Sequence, residues 1–168
     1  WRFFDHDVDV KRVRVPEEGL LNIGVRVYDN EDGTWNYVYA VHNLNSDRSV
    51  GSFTIPLGDC VSITDIGFND VDYHSGEIID STDWEMTVDG SSIHWNTETY
   101  EANEWANAIR WGSMHTFWFT ADQPPTTGGL ELGLFKPGDI SSITHNAAVS
   151  DCAVACTGDV DGDGAVNV

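Results

Sequence analysis

The last ten residues of the chain have the residue types and the spacing of a calcium-binding loop. An EF-hand-type loop takes side-chain oxygens at positions 1, 3 and 5, a backbone carbonyl at position 7 and a side chain or water at position 9, with glycine at position 6 where the chain turns sharply. Gly164 occupies the sixth position and the apolar Val166 the eighth. The sequence therefore predicts bound Ca²⁺, with the ligands Asp159, Asp161, Asp163, Ala165 through its carbonyl, and Asn167.

This predicted loop is shorter than a complete one. Its twelfth position, which usually carries a bidentate carboxylate, falls two residues beyond Val168. We therefore expect weak binding from these residues alone, with the last ligand supplied by further residues or by a neighbouring molecule. The alternative interpretation is a solvated acidic tail.

A second group of oxygen-rich side chains lies within nine residues near the middle of the chain. Carboxylates and amides at this density could hold a second calcium ion or another hard metal. The alternative is a polar loop whose aspartates accept hydrogen bonds from their own backbone. The candidate ligands are Asn69, Asp70, Asp72, His74 and Glu77.

The sequence contains no motif typical of a catalytic site. The six histidines are scattered, and no nucleophile elbow, phosphate-binding loop or zinc-protease pattern occurs. We therefore predict that the chain is not an enzyme. Sugars stack on exposed indole rings, and Trp105, in a polar stretch, is the candidate sugar platform. Trp84, Trp95 and Trp118 fall within predicted strands, where one face belongs to the core.

Composition indicates a folded, exported protein. The 168 residues are 40% hydrophobic and include seven Trp, which predicts one domain with a substantial core and a tail. A net charge of −20 repels phosphate backbones, which argues against a nucleic-acid partner, and it favours divalent cations. Because the chain opens on Trp1 without a leader-like segment, we expect a processed or excised piece of a longer precursor.

The three cysteines predict one short disulfide. Cys152 and Cys156 lie four residues apart just before the calcium loop, where a bridge between them would pin the chain. Cys60 is then a free thiol or pairs outside this chain; the alternative is that Cys60 pairs with one of the other two. Disulfides persist in oxidising compartments, so we expect an extracellular or cell-surface location.

Alternation of apolar and polar residues predicts an all-β fold, an antiparallel β-sandwich with a C-terminal calcium-loop tail. In Leu20–Tyr28 the apolar residues fall on one face, and this strand forms a hairpin with Trp35–Leu44. The other predicted strands are Lys11–Val15, Val50–Ile55, Val61–Phe68, Trp84–Val88, Ser92–Asn96, Ala108–Trp111, Met114–Ala121 and Leu130–Phe135.

The same pattern divides the chain into three parts. We predict a β-sandwich domain over residues 1–140, a small and polar linker over residues 141–157, and a partial calcium loop over residues 158–168. Within the linker, one last strand is the alternative. Thr97–Asn107 and Pro124–Gly129 are predicted loops.

Four stretches of the chain resemble a known family, namely Tyr37–Ser49, Asn69–Glu77, Ile109–Gly112 and Leu132–Gly138. They resemble a β-rich module of large secreted proteins from planctomycete-type bacteria. That family often ends in a dockerin-type calcium repeat, which Gly158–Val168 resembles in its first half. The resemblance implies an exported β-rich protein and supplies no catalytic residues. Dockerins in other proteins bind cohesins, usually through two complete repeats, whereas this chain holds part of one.

Together these features predict a non-catalytic extracellular calcium-binding β-sandwich that builds or decorates a cell-surface structure. Its expected partners are other copies of itself or other surface proteins, and the apolar segment Trp1–Phe4 could lie in a groove of another copy. The alternative for that segment is to fold back on its own sheet. The alternative function is a carbohydrate-binding module of a secreted polysaccharide-degrading assembly, with polysaccharide as partner.

Overall fold

The computed structural model describes residues 1–72 and 76–152, and within them the chain forms ten β-strands and no helix. The predicted all-β class is therefore confirmed, and no described helix could cross a membrane. The strands are β1 Asp9–Val15, β2 Gly19–Asp29, β3 Trp35–Asn43, β4 Val50–Pro56, β5 Ile63–Asn69, β6 Glu85–Val88, β7 Ser92–Asn96, β8 Met114–Ala121, β9 Pro125–Leu134 and β10 Ser142–Ser150.

The strands form two five-stranded sheets in which every pairing is antiparallel. Sheet A has the order β1-β2-β3-β8-β5, and sheet B has the order β10-β9-β4-β7-β6. The chain passes between the sheets after β3, β4, β5, β7 and β8, so most of the loops cross from one layer to the other. The two layers form a β-sandwich around one main core.

Aromatic side chains from both sheets form the centre of that core. Phe53 of sheet B contacts Phe117 of sheet A with 4.8 Å between ring centroids, and Tyr39 of sheet A lies 5.8 Å from Phe53. All three side chains are fully buried. Burying one such side chain stabilises the fold by about 1.5–3 kcal/mol, so these rings contribute much of the free energy that holds the sheets together.

The buried tyrosines also satisfy their hydroxyl groups. The Tyr39 hydroxyl donates to the carbonyl of Ala148 at 2.8 Å, and the Tyr37 hydroxyl donates to the carbonyl of Gln123 at 2.9 Å. An unpaired buried hydroxyl would be costly. These bonds fix the end of β10 and the turn before β9 against the core.

The predicted core positions agree with the structure where the alternation is strong. Leu21, Ile23 and Val25 of β2 are buried, as the pattern predicts. Trp84 and Trp95 are buried at 5% and 0% exposure, so neither offers a sugar platform. A strand with one face against the core needs apolar residues at every second position.

Three predicted boundaries are wrong. The predicted linker begins with β10, whose nine residues pair with β9 from Ser142 to Ser150, so the sandwich extends past residue 140. The predicted loop Pro124–Gly129 instead forms the first half of β9. The predicted strand Ala108–Trp111 makes only one isolated bridge, between Ile109 and Val50. Small and polar residues carry little strand signal, which explains the first two errors.

Candidate functional site

An open groove of about 620 Å³ crosses the outer face of sheet B. Its floor comes from β9, β4 and β7, which are neighbours in that sheet. Because Phe53 points into the core, the adjacent Ser52 points outward. In the strand register Ser52 lies opposite Gly133 on one side and Asn96 on the other. Glu131, two residues from Gly133 along β9, completes this part of the floor.

A glycine at position 133 keeps the floor shallow. A Cβ built on Gly133 would lie 2.1 Å from Oγ of Ser52, closer than any real contact. A larger residue would therefore displace the Ser52 hydroxyl from the groove. The missing side chain leaves room at the centre of the floor.

One wall of the groove is the loop that follows β7, which supplies Glu98, Tyr100 and Glu101. Tyr100 packs edge-on against Phe135, with 5.4 Å between ring centroids and 77° between ring planes. The Arg110 guanidinium lies 4.6 Å from the centroid of the same Phe135 ring. These contacts hold the Tyr100 ring in place beside the floor.

The turn after β9, which begins at Phe135 beside Tyr100, also lines the groove and is held by Arg48. The Arg48 side chain donates from Nε to the carbonyl of Lys136 at 2.6 Å and from Nη2 to the carbonyl of Ile140 at 2.7 Å. Lys136 Nζ lies 2.8 Å from Oδ1 of Asp47. Both cations that line the groove are therefore engaged by groups of the protein itself.

Three carboxylates line the groove beside these two engaged cations. Glu98 accepts a hydrogen bond from Nδ2 of Asn103 at 2.8 Å. Glu101 and Glu131 are exposed and form no ion pair within the described residues. With the Ser52 hydroxyl and the Asn96 amide, the groove offers several acceptors, a few donors and the aromatic rings of Tyr100 and Phe135. This chemistry fits a polar ligand without negative charge.

The candidate second metal site stays a prediction. Asp70 accepts a hydrogen bond from the Nδ2 of buried Asn107, and burial, opposed by that bond, raises the pKa of the Asp70 carboxyl. His74 lies outside the described residues. Among residues 1–72 and 76–152, no three His, Cys, Asp or Glu side chains come together as metal ligands.

Trp105, the predicted sugar platform, lies outside the groove in the loop between β7 and β8. Its side chain is 45% exposed, and its carbonyl accepts a hydrogen bond from the backbone N–H of Asp80 at 2.7 Å. Trp111, later in the same loop, is 69% exposed. The role of Trp105 as a platform stays a prediction.

The predicted Cys152–Cys156 disulfide is wrong, because Cys152 is bonded to Cys60, with 5.7 Å between the two Cα atoms. This pairing is the alternative that the sequence left open, and its cause is the last strand, β10. It carries Cys152 to the connection between β4 and β5, where the N–H of Gly58 donates to the carbonyl of Ser150 at 3.3 Å. Cys156 and the predicted calcium ligands at positions 159–167 lie outside the described residues.

The N-terminal segment lies on its own sheet A, as the alternative interpretation expected. A Cβ built on Gly24 would lie 2.9 Å from the Trp1 ring, so the indole packs directly on that strand. Arg26 binds Asp5 at 2.9 Å and Asp7 at 3.0 Å. This hydrogen-bonded pair lowers the pKa of the Asp5 carboxyl. The two phenylalanines at positions 3 and 4 stay exposed.

His94 forms a polar network that the sequence did not indicate. Its Nδ1 lies 3.1 Å from the Thr54 hydroxyl, and its Nε2 lies 3.1 Å from Asp89 and 2.8 Å from the Ser92 hydroxyl. Asp89 also accepts the backbone N–H groups of Ser91 and Ser92, and its pKa is lowered first by the bond from the Ser91 N–H and then by that from His94. Through these bonds the network caps the turn of the β6–β7 hairpin.

The groove residues could not be recognised from the sequence. Ser52, Asn96 and Glu131 occupy outward positions of alternating strands, where polar residues are expected in any antiparallel sheet. The only signal was the glycine at position 133 within a strand, which often marks a close approach of another group. The wall residue Tyr100 lies in a loop that the sequence identified without a role.

Comparisons with known proteins identify no family. No family model matches the chain, and no curated protein matches it. A solved structure of the serine-rich repeat adhesion glycoprotein from Streptococcus agalactiae is similar with a TM-score of 0.45 and 14% identity, over 86% of this chain and 51% of that one. This chain thus spans about half the length of that structure. The resemblance to planctomycete-type modules stays a prediction.

Proposed function

We propose that this chain is a non-catalytic β-sandwich module that acts outside the cytoplasm, where it builds or decorates a cell-surface structure. The observation that carries the proposal is the disulfide between Cys60 and Cys152, which joins positions 92 residues apart. Disulfides of this structural kind form and persist in oxidising compartments and are rare in the cytosol. An acidic surface with a net charge of −20 agrees with a protein that meets millimolar divalent cations.

The proposal includes bound Ca²⁺ at the C-terminal loop, which the sequence pattern supports. Asp159 follows Cys152 by seven residues, so the loop is tethered close to a covalently fixed point of the sandwich. Such a tether limits the freedom of the loop before binding, which lowers the entropy cost of ordering it.

Association between copies is the second part of the proposal. Phe3 and Phe4 are 83% and 88% exposed and contact each other edge-on at 5.1 Å between ring centroids. Exposed aromatic pairs of this kind favour burial against a partner. Divalent ions would screen the repulsion between two strongly acidic surfaces, which acts over about 8 Å in physiological salt.

Calcium titration and size-exclusion chromatography test these parts separately. We expect heat of binding for wild-type protein in isothermal titration calorimetry and no heat for Asp161→Ala, because one of the three predicted carboxylate ligands is lost. Asp139→Asn, at an exposed position outside the loop, is the matched control and should bind as wild type. Equal binding by both variants would contradict the calcium site.

The association test compares wild type with a chain lacking residues 1–4, in calcium and in chelator. We expect larger assemblies only for the wild type in calcium. A wild-type monomer at millimolar calcium and high protein concentration would contradict self-assembly and leave the export proposal intact.

A further inference from the structure

We propose that the groove over sheet B binds a neutral polysaccharide. Its floor would be Glu131, Ser52 and Asn96, and its wall the ring of Tyr100. A volume of about 620 Å³ lies within the range of small-ligand sites, about 300–1,000 Å³. The groove is open, as a site for an internal stretch of a chain polymer must be.

The position of the groove excludes binding by strand addition. Its floor strands β9, β4 and β7 are all interior strands of sheet B, with a paired strand on each side. Their backbone donors and acceptors are therefore used in the sheet, whereas strand addition needs an exposed edge. A ligand on this floor is therefore recognised through side chains.

The charges of the groove exclude anionic ligands. Three glutamates line it, and its two cations are already engaged, Arg48 by two carbonyl oxygens and Lys136 by Asp47. A phosphate, a sulfate or an acidic sugar would meet negative charge without a free cation to offset it. The ligand is therefore neutral or positively charged.

The mixture of polar groups favours sugar over a simple cation. A carboxylate accepts hydrogen bonds from sugar hydroxyls, and an amide and a hydroxyl both donate and accept. Glu131, Asn96 and Ser52 provide one group of each kind. Asn96 is directly opposite Ser52 on strands about 4.8 Å apart, and Glu131 is a diagonal neighbour of Ser52 at about 7–8 Å. A pyranose ring presents hydroxyls at a comparable spacing along its edge.

Tyr100 supplies the apolar surface that sugar binding also uses. Sugar C–H groups pack against aromatic rings, and Tyr100 is held against Phe135 and the small cluster around it before any ligand arrives. A ring that is already fixed loses little side-chain entropy on binding. This site needs neither the calcium loop nor association between copies, so it can fail or stand independently of the function proposed above.

Affinity electrophoresis in native gels tests the proposal. The probes are hydroxyethyl cellulose, arabinoxylan, galactomannan and glycogen, which are neutral, with alginate as an acidic polysaccharide. We expect at least one neutral polymer to retard the wild-type protein and alginate to have no effect. Glu131→Gln and Asn96→Ala should each weaken retardation roughly tenfold, since the first replaces a charged acceptor oxygen by an NH2 donor and the second removes the amide. Tyr100→Ala should weaken it similarly, whereas Tyr100→Phe should retain most of it.

Two control variants distinguish the groove from other surfaces. Glu104→Gln removes an exposed charge outside the groove, and Trp105→Ala removes the platform predicted from the sequence. Both should bind as wild type, and unchanged thermal midpoints should show that all variants are folded. The proposal is overturned if no neutral polymer retards the wild type, if Trp105→Ala alone abolishes retardation, or if Glu131→Gln binds as wild type. Salt-sensitive binding of poly-lysine in place of any sugar would also overturn it.

Discussion

Removing the Cys60–Cys152 disulfide should lower stability more than any other change to the cysteines. The bond joins the connection between β4 and β5 to the end of β10, the outermost strand of sheet B. Without it, β10 is held by its pairing with β9 and by a few core contacts. Most of the effect comes from the unfolded chain, which gains conformational entropy when the bond no longer closes a long loop.

The magnitude follows from the length of that loop. With 92 residues between the cysteines, the chain-entropy relation gives about 4.6 kcal/mol at 25 °C as an upper value. A domain of this size loses about 2–4 °C of Tm per kcal/mol, so the Tm should fall by about 9–18 °C. A bridge between Cys152 and Cys156 would close only four residues and would be worth about 1.9 kcal/mol by the same relation.

Equilibrium unfolding in urea, followed by Trp fluorescence, measures the loss of free energy. The variant carries Cys60→Ala and Cys152→Ala together, so that neither cysteine can pair with Cys156. Cys156→Ala alone is the matched control and should unfold at the wild-type urea concentration. Peptide mapping of unreduced wild-type protein should show Cys60 joined to Cys152, and a thiol assay should find one reactive cysteine.

Two outcomes would refute this reasoning. One is that Cys156→Ala destabilises the protein as much as the double variant. The other is a mapped peptide in which Cys152 is joined to Cys156. Either would mean that the long loop is not closed and that β10 is held by non-covalent contacts alone.

Two further predictions concern the core. Burial raises the pKa of Tyr37 to about 12 and that of Tyr39 well above its usual value. The folded state therefore favours the neutral rings. The free energy of unfolding should be constant below pH ~10, where both rings are neutral in either state, and should fall as pH rises from about 10 to about 12. Absorbance at 295 nm should show these two tyrosines ionising only on unfolding, and reversible ionisation of all five near pH 10 would contradict this. Phe53→Ala should cost about 3–5 kcal/mol in urea unfolding, because its ring contacts Tyr39, Trp95 and Phe117, and a loss below about 1 kcal/mol would contradict the packing.

The sequence predicted the strands whose alternation is strong and failed where residues are small. Leu21 and Tyr39 lie in strands with bulky apolar residues at every second position, and both are buried as predicted. Thr126 and Gly128 of β9 pair with Val149 and Ala147 of β10. These residues have little apolar surface, so their pairing depends on packing and hydrogen bonding with the rest of sheet B. A tertiary effect of that kind leaves no local pattern.

The disulfide illustrates the same limit. The prediction paired Cys152 with Cys156 from their spacing alone, because a four-residue separation is visible in the sequence. The partner that Cys152 has in the structure is 92 residues away. It comes within reach only when β10 joins sheet B and runs back past the connection at Gly58. The cysteine pairing was therefore inseparable from a strand assignment, and the error in one produced the error in the other.

The groove and Cys152 lie at opposite ends of one ladder. In the β9–β10 pairing, Gly133 at the groove faces Ser142, and Pro125 faces Ser150 just before Cys152. Eight residue steps of about 3.3 Å separate these ends by about 26 Å. The proposed sugar contacts use none of the predicted calcium ligands, all of which follow Cys152 in the sequence. Chelation should therefore leave polysaccharide retardation unchanged, and loss of retardation on chelation would mean that the groove depends on the bound ion.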